Sequence, residues 1–400
     1  MSSLASKSAT STSYDYLIVG GGAAGLSLAY HISQEPRLAG KRVLLIEPEA
    51  KDQNDRTWSF WTDGPMLFDS IVAHEWGQIA FRSPGFEQVF PLARHRYKMI
   101  RGLDFYRFVR AALTGNPQFT LVRSAVDTLE NTPDGVRAGT PVGSFTARYA
   151  FDSRPPQVQQ QPQKHRYLLQ HFVGWEVETS HDAFDPTTAE FMDFRGEQHH
   201  EARFIYVLPF GKRRALVEYT LFSGTVLPQA EYETALREYM DKLGVTDYRV
   251  EATEIGAIPM TDHPLPAANG THIVNLGTRA GRAKPSTGYA FKRIQEHSAR
   301  LVQGLATGAP PPNLTGDRWQ FHLFDTLLLD IMQRRGETTR DIFTELFRRN
   351  SVERLFDFLD ERTSALENLQ VMNSVTPWPF LRSIGHVLRG QPGQRKVEKE

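Results

Sequence analysis

A single glutamate interrupts the stretch RALVEYTLF (214–222), whose alternation of residue types is that of a β-strand. Ala215, Val217, Tyr219 and Leu221 fall on one face, and Leu216, Glu218, Thr220 and Phe222 on the other. The first face reads as core. On the second, Glu218 stands beside Leu and Phe, where a solvated face would carry several polar groups. Two chemistries are open to it. A half-exposed sheet often turns one Glu towards water. Alternatively the carboxyl sits in an apolar cleft, where desolvation raises its pKa and keeps it protonated near neutrality. A second carboxylate, Asp193 in FMDF (191–194), occupies the same type of strand. It either positions or relays a proton or serves as a structural hydrogen-bond acceptor.

Gly20-x-Gly22-x-x-Gly25 lies between an apolar strand pattern, YDYLIV, and a helical one, and Glu47 closes the next strand in KRVLLIEPE. In that setting the glycines have distinct tasks. Gly20 permits the tight turn, Gly22 lets a pyrophosphate approach the backbone, and Gly25 lets the helix pack on the strand. The pyrophosphate would rest on the helix N-terminus, with Glu47 accepting from ribose hydroxyls. A second glycine turn, GTRAGRAKPSTGYAF (277–291), carries Gly277, Gly281, Pro285, Thr287 and Gly288 just before another helix. Such a turn suits electron-rich cofactor atoms, which an isolated NAD domain has no need of, so the pair of turns favours FAD.

The elements that must hold these residues divide into two patterns. Residues 14–48 make a βαβ unit with parallel strands. Residues 55–100 read as irregular and aromatic-rich, followed by a helix at 103–113 and strands near 119–130 and 145–152. The Pro/Gln segment RPPQVQQQPQKH reads as a loop crossing between lobes. From 166 to 260 short strands follow one another, broken by a helix at 229–243, which implies a largely antiparallel sheet. A strand and glycine turn then lead to a helix at 288–305, and the chain is helical to about 372. The expected class is α/β, α+β taken whole: a Rossmann-type FAD domain (14–75, 100–155, 255–310) with an inserted antiparallel-sheet substrate domain (76–99, 163–254). A C-terminal helical region (311–390) completes it, between a disordered lead-in (1–13) and a tail (391–400).

Composition narrows the partners. Lys+Arg and Asp+Glu are 46 each, so no global charge draws the chain to nucleic acid. There is no cysteine, which excludes disulfides, thiolate nucleophiles and cysteine-ligated zinc and permits a reducing compartment. EQHHEARF (197–204) lacks an HExxH helix or a second cluster at ligand spacing, so it reads as a solvated turn and no metal is assigned. No apolar run of about 18 residues occurs. Near the end, however, Trp378, Phe380, Leu381, Ile384, Val387 and Leu388 mix with Arg382, His386 and Arg389. That pattern suits an interfacial helix or one docked on the protein itself.

DRTWSFW (55–61), QHFVGWEVE (170–178), FMDF, RFIYVLPF (203–210), RALVEYT, EIGAIPM (254–260) and GTRAGRAKPSTGYAF together resemble, in order and spacing, the bacterial lycopene β-cyclase family. The resemblance implies a hydroxybenzoate-hydroxylase-like flavoprotein fold, with FAD kept reduced by NAD(P)H and no net redox change. It implies lycopene and related acyclic carotenoids as substrates, a cytoplasmic location and peripheral membrane association, since lycopene partitions into lipid. The family's essential Glu corresponds to Glu218, the expected acid, with Asp193 beside it. Arg56 and Trp58 are expected at the flavin or the substrate tunnel, or else in a core ion pair and core packing. Asp152, in a D-x-R turn, is expected near the pyrophosphate or in a strand-ending salt bridge. Two other classes stay open: a flavin monooxygenase or halogenase of this fold, and a non-catalytic FAD-dependent carotenoid carrier.

Overall fold

The runs LIV and VLLI end up as neighbouring parallel strands, Ser13–Val19 and Val43–Ile46, joined through the helix Ala23–Ser33. In the computed structural model, which describes residues 13–156, 165–312, 314 and 319–390, they lie inside an eight-stranded sheet. Its order is Ala268–Asn269, Ile273–Asn275, Gly143–Asp152, Ser13–Val19, Val43–Ile46, Phe119–Val122. The hairpin Thr128–Thr132 and Gly135–Thr140 branches from Gly143–Asp152. Near-continuous apolar strands are what a sheet covered on both faces requires. The helices Ala23–Ser33, Gly102–Leu113 and Phe291–Leu305 share one core cluster with one face of it.

The second sheet has seven strands, in the order Tyr248–Thr261, Tyr167–Thr179, Arg214–Ser223, Ala202–Pro209, Thr188–Asp193, Gln78–Ser83, Phe86–Pro91. All its pairs are antiparallel except Thr188–Asp193 with Gln78–Ser83. Helix Gln229–Lys242 packs Tyr232, Leu236 and Met240 against one face, on Val173, Val217 and Leu221. The other face meets helices Trp319–Arg335, Thr338–Arg349 and Val352–Leu359 through Phe191, Phe204, Leu216, Phe222, Phe343, Phe347 and Phe356. Helices Ala365–Met372 and Pro377–Leu388 end the described chain.

Several expectations are corrected. Residues 55–100 are not irregular: Thr57–Thr62, Arg96–Arg101 and His74–Trp76 form a three-stranded antiparallel sheet, and Gln78–Ser83 and Phe86–Pro91 join the seven-stranded one. The Gly and Pro breaks mark turns between short strands, while Trp58 and Phe60 stack on Phe291 and Trp61 stacks on Phe356. The helix expected from 288 starts at Phe291, because Gly288 has φ +73°, incompatible with a right-handed helix. The strand Tyr248–Thr261 runs unbroken through residue 255, where a lobe boundary was expected. The lead-in up to residue 12, most of the Pro/Gln crossing segment and the tail lie outside the described residues.

Candidate active site

Glu218 looks away from the helix Gln229–Lys242, on the face lined by Leu216, Thr220 and Phe222. The residue as a whole is half-buried. The protein crowds around it so closely that burial, aided by the charge of Glu254, pushes its carboxyl up to about 8. Thr220 Oγ1 donates to Glu218 Oε1 at 2.6 Å and opposes that rise by favouring the ionised form. Directly opposite on the neighbouring strand stands Gly174. A methyl group there would sit 3.1 Å from Leu216 Cδ1 and 3.5 Å from Glu218 Cβ, so the missing side chain leaves the carboxyl its room. Tyr206 is its register partner on the other side. Tyr206, Tyr97 and Tyr289 bring their hydroxyls together, at 3.4 Å for Tyr97 to Tyr289 and 3.5 Å for Tyr206 to Tyr289. Burial raises the pKa of all three, so the wall facing Glu218 is aromatic and uncharged at neutral pH.

Asp193 is not brought to Glu218. Its carboxylate is held by Arg195 (2.6 Å) and accepts from Tyr239 Oη (3.1 Å), and Tyr239 belongs to the helix on the opposite face of the sheet. A bulge between Glu190 and Asp193 breaks the alternation that had suggested a shared environment.

The first glycine turn has the form its spacing requires. Gly20 has φ +97°, and a Cβ on Gly25 would sit 1.9 Å from the Gly20 carbonyl, so no side chain fits there. Gly22 caps the helix without a side-chain hydrogen bond, and space in front of it is open. Glu47 accepts from the Gly21 and Glu49 amides, closing the turn at the strand end. Asp152, fully buried, pairs with Arg154 (2.8 Å) and Arg279 (3.2 Å). It is therefore the strand-ending salt bridge and also fastens the second glycine turn to the first sheet. Gly277 packs on Ala24, and Gly281 takes a left-handed conformation. Gly281 and Pro285 border an open cleft of about 1270 Å³ with Pro259 and Thr261. A Cβ on Gly288 would lie 1.9 Å from Gln170 Oε1.

Gln170 Oε1, Thr287 Oγ1 and the indole nitrogen of Trp61, which packs on Tyr289, are buried without a hydrogen-bond partner. Three orphaned polar atoms around the 287–289 loop fit a polar heterocycle placed there. Arg56 lies elsewhere: it is exposed and donates to the carbonyls of Asp55 and Ile255, binding its loop to the edge strand. Trp58 is partly buried and packs on Phe105 and Phe291 at the edge of the core.

Beyond Lys284, Ser286 and Thr287 an apolar cleft of about 730 Å³ opens among the C-terminal helices, walled by Phe321, Phe324, Phe343, Phe358 and Phe380. Lys284 itself is buried and paired with Asp325 (3.1 Å) and Glu361 (3.0 Å). Among the described residues one His/acidic group has metal-ligand spacing, Asp63, His95 and Asp357, and Arg362 donates to all three. His199 and His200 occupy an exposed turn with positive φ.

Residues 15–384 match the family model described as lycopene cyclase protein. The chain belongs to the lycopene cyclase family. Among its relatives, a lycopene beta-cyclase of Paracoccus sp. is 28% identical over 309 residues, covering 75% of each chain. The chloroplastic lycopene beta cyclase of Arabidopsis thaliana is 25% identical over 331 residues, 76% of this chain and 63% of the plant protein. Solved structures share the fold at low identity. A geranylgeranyl bacteriochlorophyll reductase-like protein of Thermoplasma acidophilum aligns with a TM-score of 0.61 and 14% identity, over 94% and 99% of the two chains. A probable FAD-dependent monooxygenase of Pseudomonas aeruginosa gives 0.58 and 13%, over 83% and 99%. The cyclase-family chain thus has a hydroxybenzoate-hydroxylase-like fold that ends in C-terminal helices.

Sequence reasoning missed Glu254, Gln170 and the three tyrosines. Glu254 was within reach: EIGAIPM alternates like RALVEYT and places Glu254 with Gly256, Ile258 and Met260. The tyrosines come from three separate segments, which no local pattern joins.

Proposed function

We propose that the chain is a lycopene β-cyclase, closing the ends of acyclic lycopene into β-rings to give γ- and β-carotene. The observation that carries the reading is Glu218, a carboxyl held protonated near neutrality on the sheet face that carries Leu216, Phe222 and Tyr206, with Tyr97 in the same cluster. With Oε1 accepting from Thr220, the proton sits on Oε2. From there it passes to the terminal double bond of the polyene. The neighbouring double bond attacks the resulting tertiary cation and closes a six-membered ring, and loss of a ring proton to a carboxylate restores neutrality. Tyr97, Tyr206 and Tyr289, their hydroxyls gathered at 3.4 and 3.5 Å, make the surroundings of Glu218 aromatic and uncharged. The substrate is a hydrocarbon, which suits the phenylalanine-walled cleft beyond Thr287 as the chamber for the rest of the polyene.

FAD fits the two glycine turns and the orphaned Gln170, Thr287 and Trp61 atoms. When bound and reduced by NAD(P)H, it supplies negative charge that stabilises a neighbouring cation without being consumed. Gly20, Gly22, Gly25 and Glu47 would hold its pyrophosphate and ribose, and Gly277, Gly281, Pro285, Thr287 and Gly288 its ring system.

The same reading places the chain at a membrane surface, where lycopene dissolves. No helix among the described residues is long and apolar enough to cross a membrane. The helix Pro377–Leu388 instead turns Trp378 (67% exposed), Leu381 and Leu388 (81% exposed) outward beside Arg382 and Arg389.

Pigment analysis of lycopene-accumulating bacterial cells tests the proposal. The expected result is yellow β-carotene with the unaltered chain and red lycopene with Glu218→Gln. If both cultures stay red while soluble protein retains FAD, the chain is not a cyclase for lycopene, and a monooxygenase or carrier role replaces this one. If both turn yellow, the acid is another residue.

A further inference from the structure

The edge strand Tyr248–Thr261 is inverted around Glu254. Of residues 249–257, Glu254 alone is buried, while the adjacent Ile255 is 52% exposed. Burying a carboxylate and exposing an isoleucine one position later is costly, and nothing in the packing of an edge strand demands it. What the inversion achieves is a juxtaposition. Glu218, Gly174 and Glu254 form one row across three strands, so the two carboxyls face each other over a residue without a side chain. Their Cα atoms are two strand spacings apart, about 10 Å.

The two acids are provided for differently. Burial pushes the Glu254 carboxyl up as well, but here the rise is opposed by the Thr57 amide, which donates to Oε1 at 2.8 Å, and by the positive charge of Arg56, with Asp55 acting against them. Glu218 has one hydroxyl, from Thr220, and otherwise faces the uncharged Tyr97, Tyr206 and Tyr289. The next acid on this face, Glu176, is neutralised by Arg101 and Arg214. Near neutrality such a pair holds one proton, and it resides on the member with fewer donors.

We propose that Glu254 is a positioning residue of the active site: an ionised carboxylate fixed beside Glu218 whose charge keeps the proton on Glu218. This rests on the cyclase reading for its purpose, though not for the electrostatics. Because Glu218 works protonated, activity falls as pH rises through its pKa, and removing the Glu254 charge moves that fall to lower pH.

The test compares the flavin-loaded chain with Glu254→Gln and Glu254→Asp, following ring formation on lycopene in lipid vesicles across pH. Glutamine still accepts the Thr57 amide, so the loop anchor is kept. The expected result is an alkaline limb displaced downward by about one pH unit in Glu254→Gln, an acid-side rate within about threefold of the unaltered chain, and near-normal behaviour in Glu254→Asp. An unmoved limb overturns the proposal, as does a uniform loss at every pH. In parallel, the infrared band of the protonated Glu218 carboxyl, assigned by its absence in Glu218→Gln, is titrated without substrate. Its midpoint should also fall in Glu254→Gln. A falling midpoint in a chain that forms no rings would sustain this inference and reject the cyclase reading, whereas ring formation with a fixed midpoint would do the reverse.

Discussion

Glu218 weighs on stability as well as on chemistry. An acid whose pKa is about 8 when folded and near 4.5 when unfolded leaves the native state holding more protons than the unfolded state between those values. Stability therefore declines as pH rises through that window. Glu218→Gln, which removes the titration, should raise the melting temperature by a few degrees at about pH 8 and hardly at all at about pH 4, read by calorimetry. Thr220→Val acts on the same carboxyl with the opposite sign to Glu254→Gln. It deletes the bond that favours the ionised form, so the alkaline limb of the rate profile should move to higher pH. The rate itself should fall about tenfold, because the carboxyl loses its orientation.

Two contacts at the scale of elements decide whether the cleft assembles. Glycine at 25 lets the helix Ala23–Ser33 start against the Gly20 carbonyl, and glycine at 288 lets the second turn close over Gln170. Gly288→Ala meets both a left-handed backbone and a side-chain collision. It should cost about 1–3 kcal/mol in denaturant unfolding and lower the bound-flavin content measured by absorbance. Arg166 ties sheet to helix: its guanidinium reaches Asp262 (3.1 Å) and Asp330 (3.2 Å), all three buried. Arg166→Ala removes that guanidinium, leaving Asp262 with the residue-166 amide and His165 (3.6 Å) and Asp330 with Arg334 (3.2 Å) and His386 (3.1 Å), so the expected loss is about 1–3 kcal/mol in the same assay.

Considered whole, the molecule sets its chemistry between a flavoprotein scaffold and a helical cap that presents apolar surface outward. The last described helix uses Ser383 and His386 to touch the body, at Leu327 O and Asp330, and leaves Leu381, Ile384 and Leu388 exposed. Phe380 packs inward against Ile331, Ile342 and Val375, so the helix has an inner apolar contact as well as an exposed apolar row, and under the proposed membrane-surface reading that row is what would meet lipid. Leu381→Asp with Leu388→Asp should reduce cosedimentation with anionic lipid vesicles about tenfold or more while leaving the melting temperature nearly unchanged, since both side chains are already exposed.

Much of this architecture is legible along the chain because its causes are local. The Gly20–Gly25 turn needs glycine for reasons contained within six residues, and the alternation around Glu218 states which neighbours share its face. The aromatic stretch from 55 to 100 was misread because its strands are three to six residues long and are divided between two sheets: one hairpin, Gln78–Ser83 with Phe86–Pro91, is completed by the distant Thr188–Asp193, while Thr57–Thr62 and His74–Trp76 pair with Arg96–Arg101. Asp193 and Glu218 sit in similar local patterns, yet a bulge sends Asp193 to the helix face and Arg195. By itself the sequence determined the fold class, the form of the first glycine turn and the apolar strand face on which Glu218 stands. Only tertiary structure decided which second carboxyl faces that acid, because strand register, and not separation along the chain, sets which side chains meet: Glu254 meets Glu218 across Gly174, and Asp193 does not.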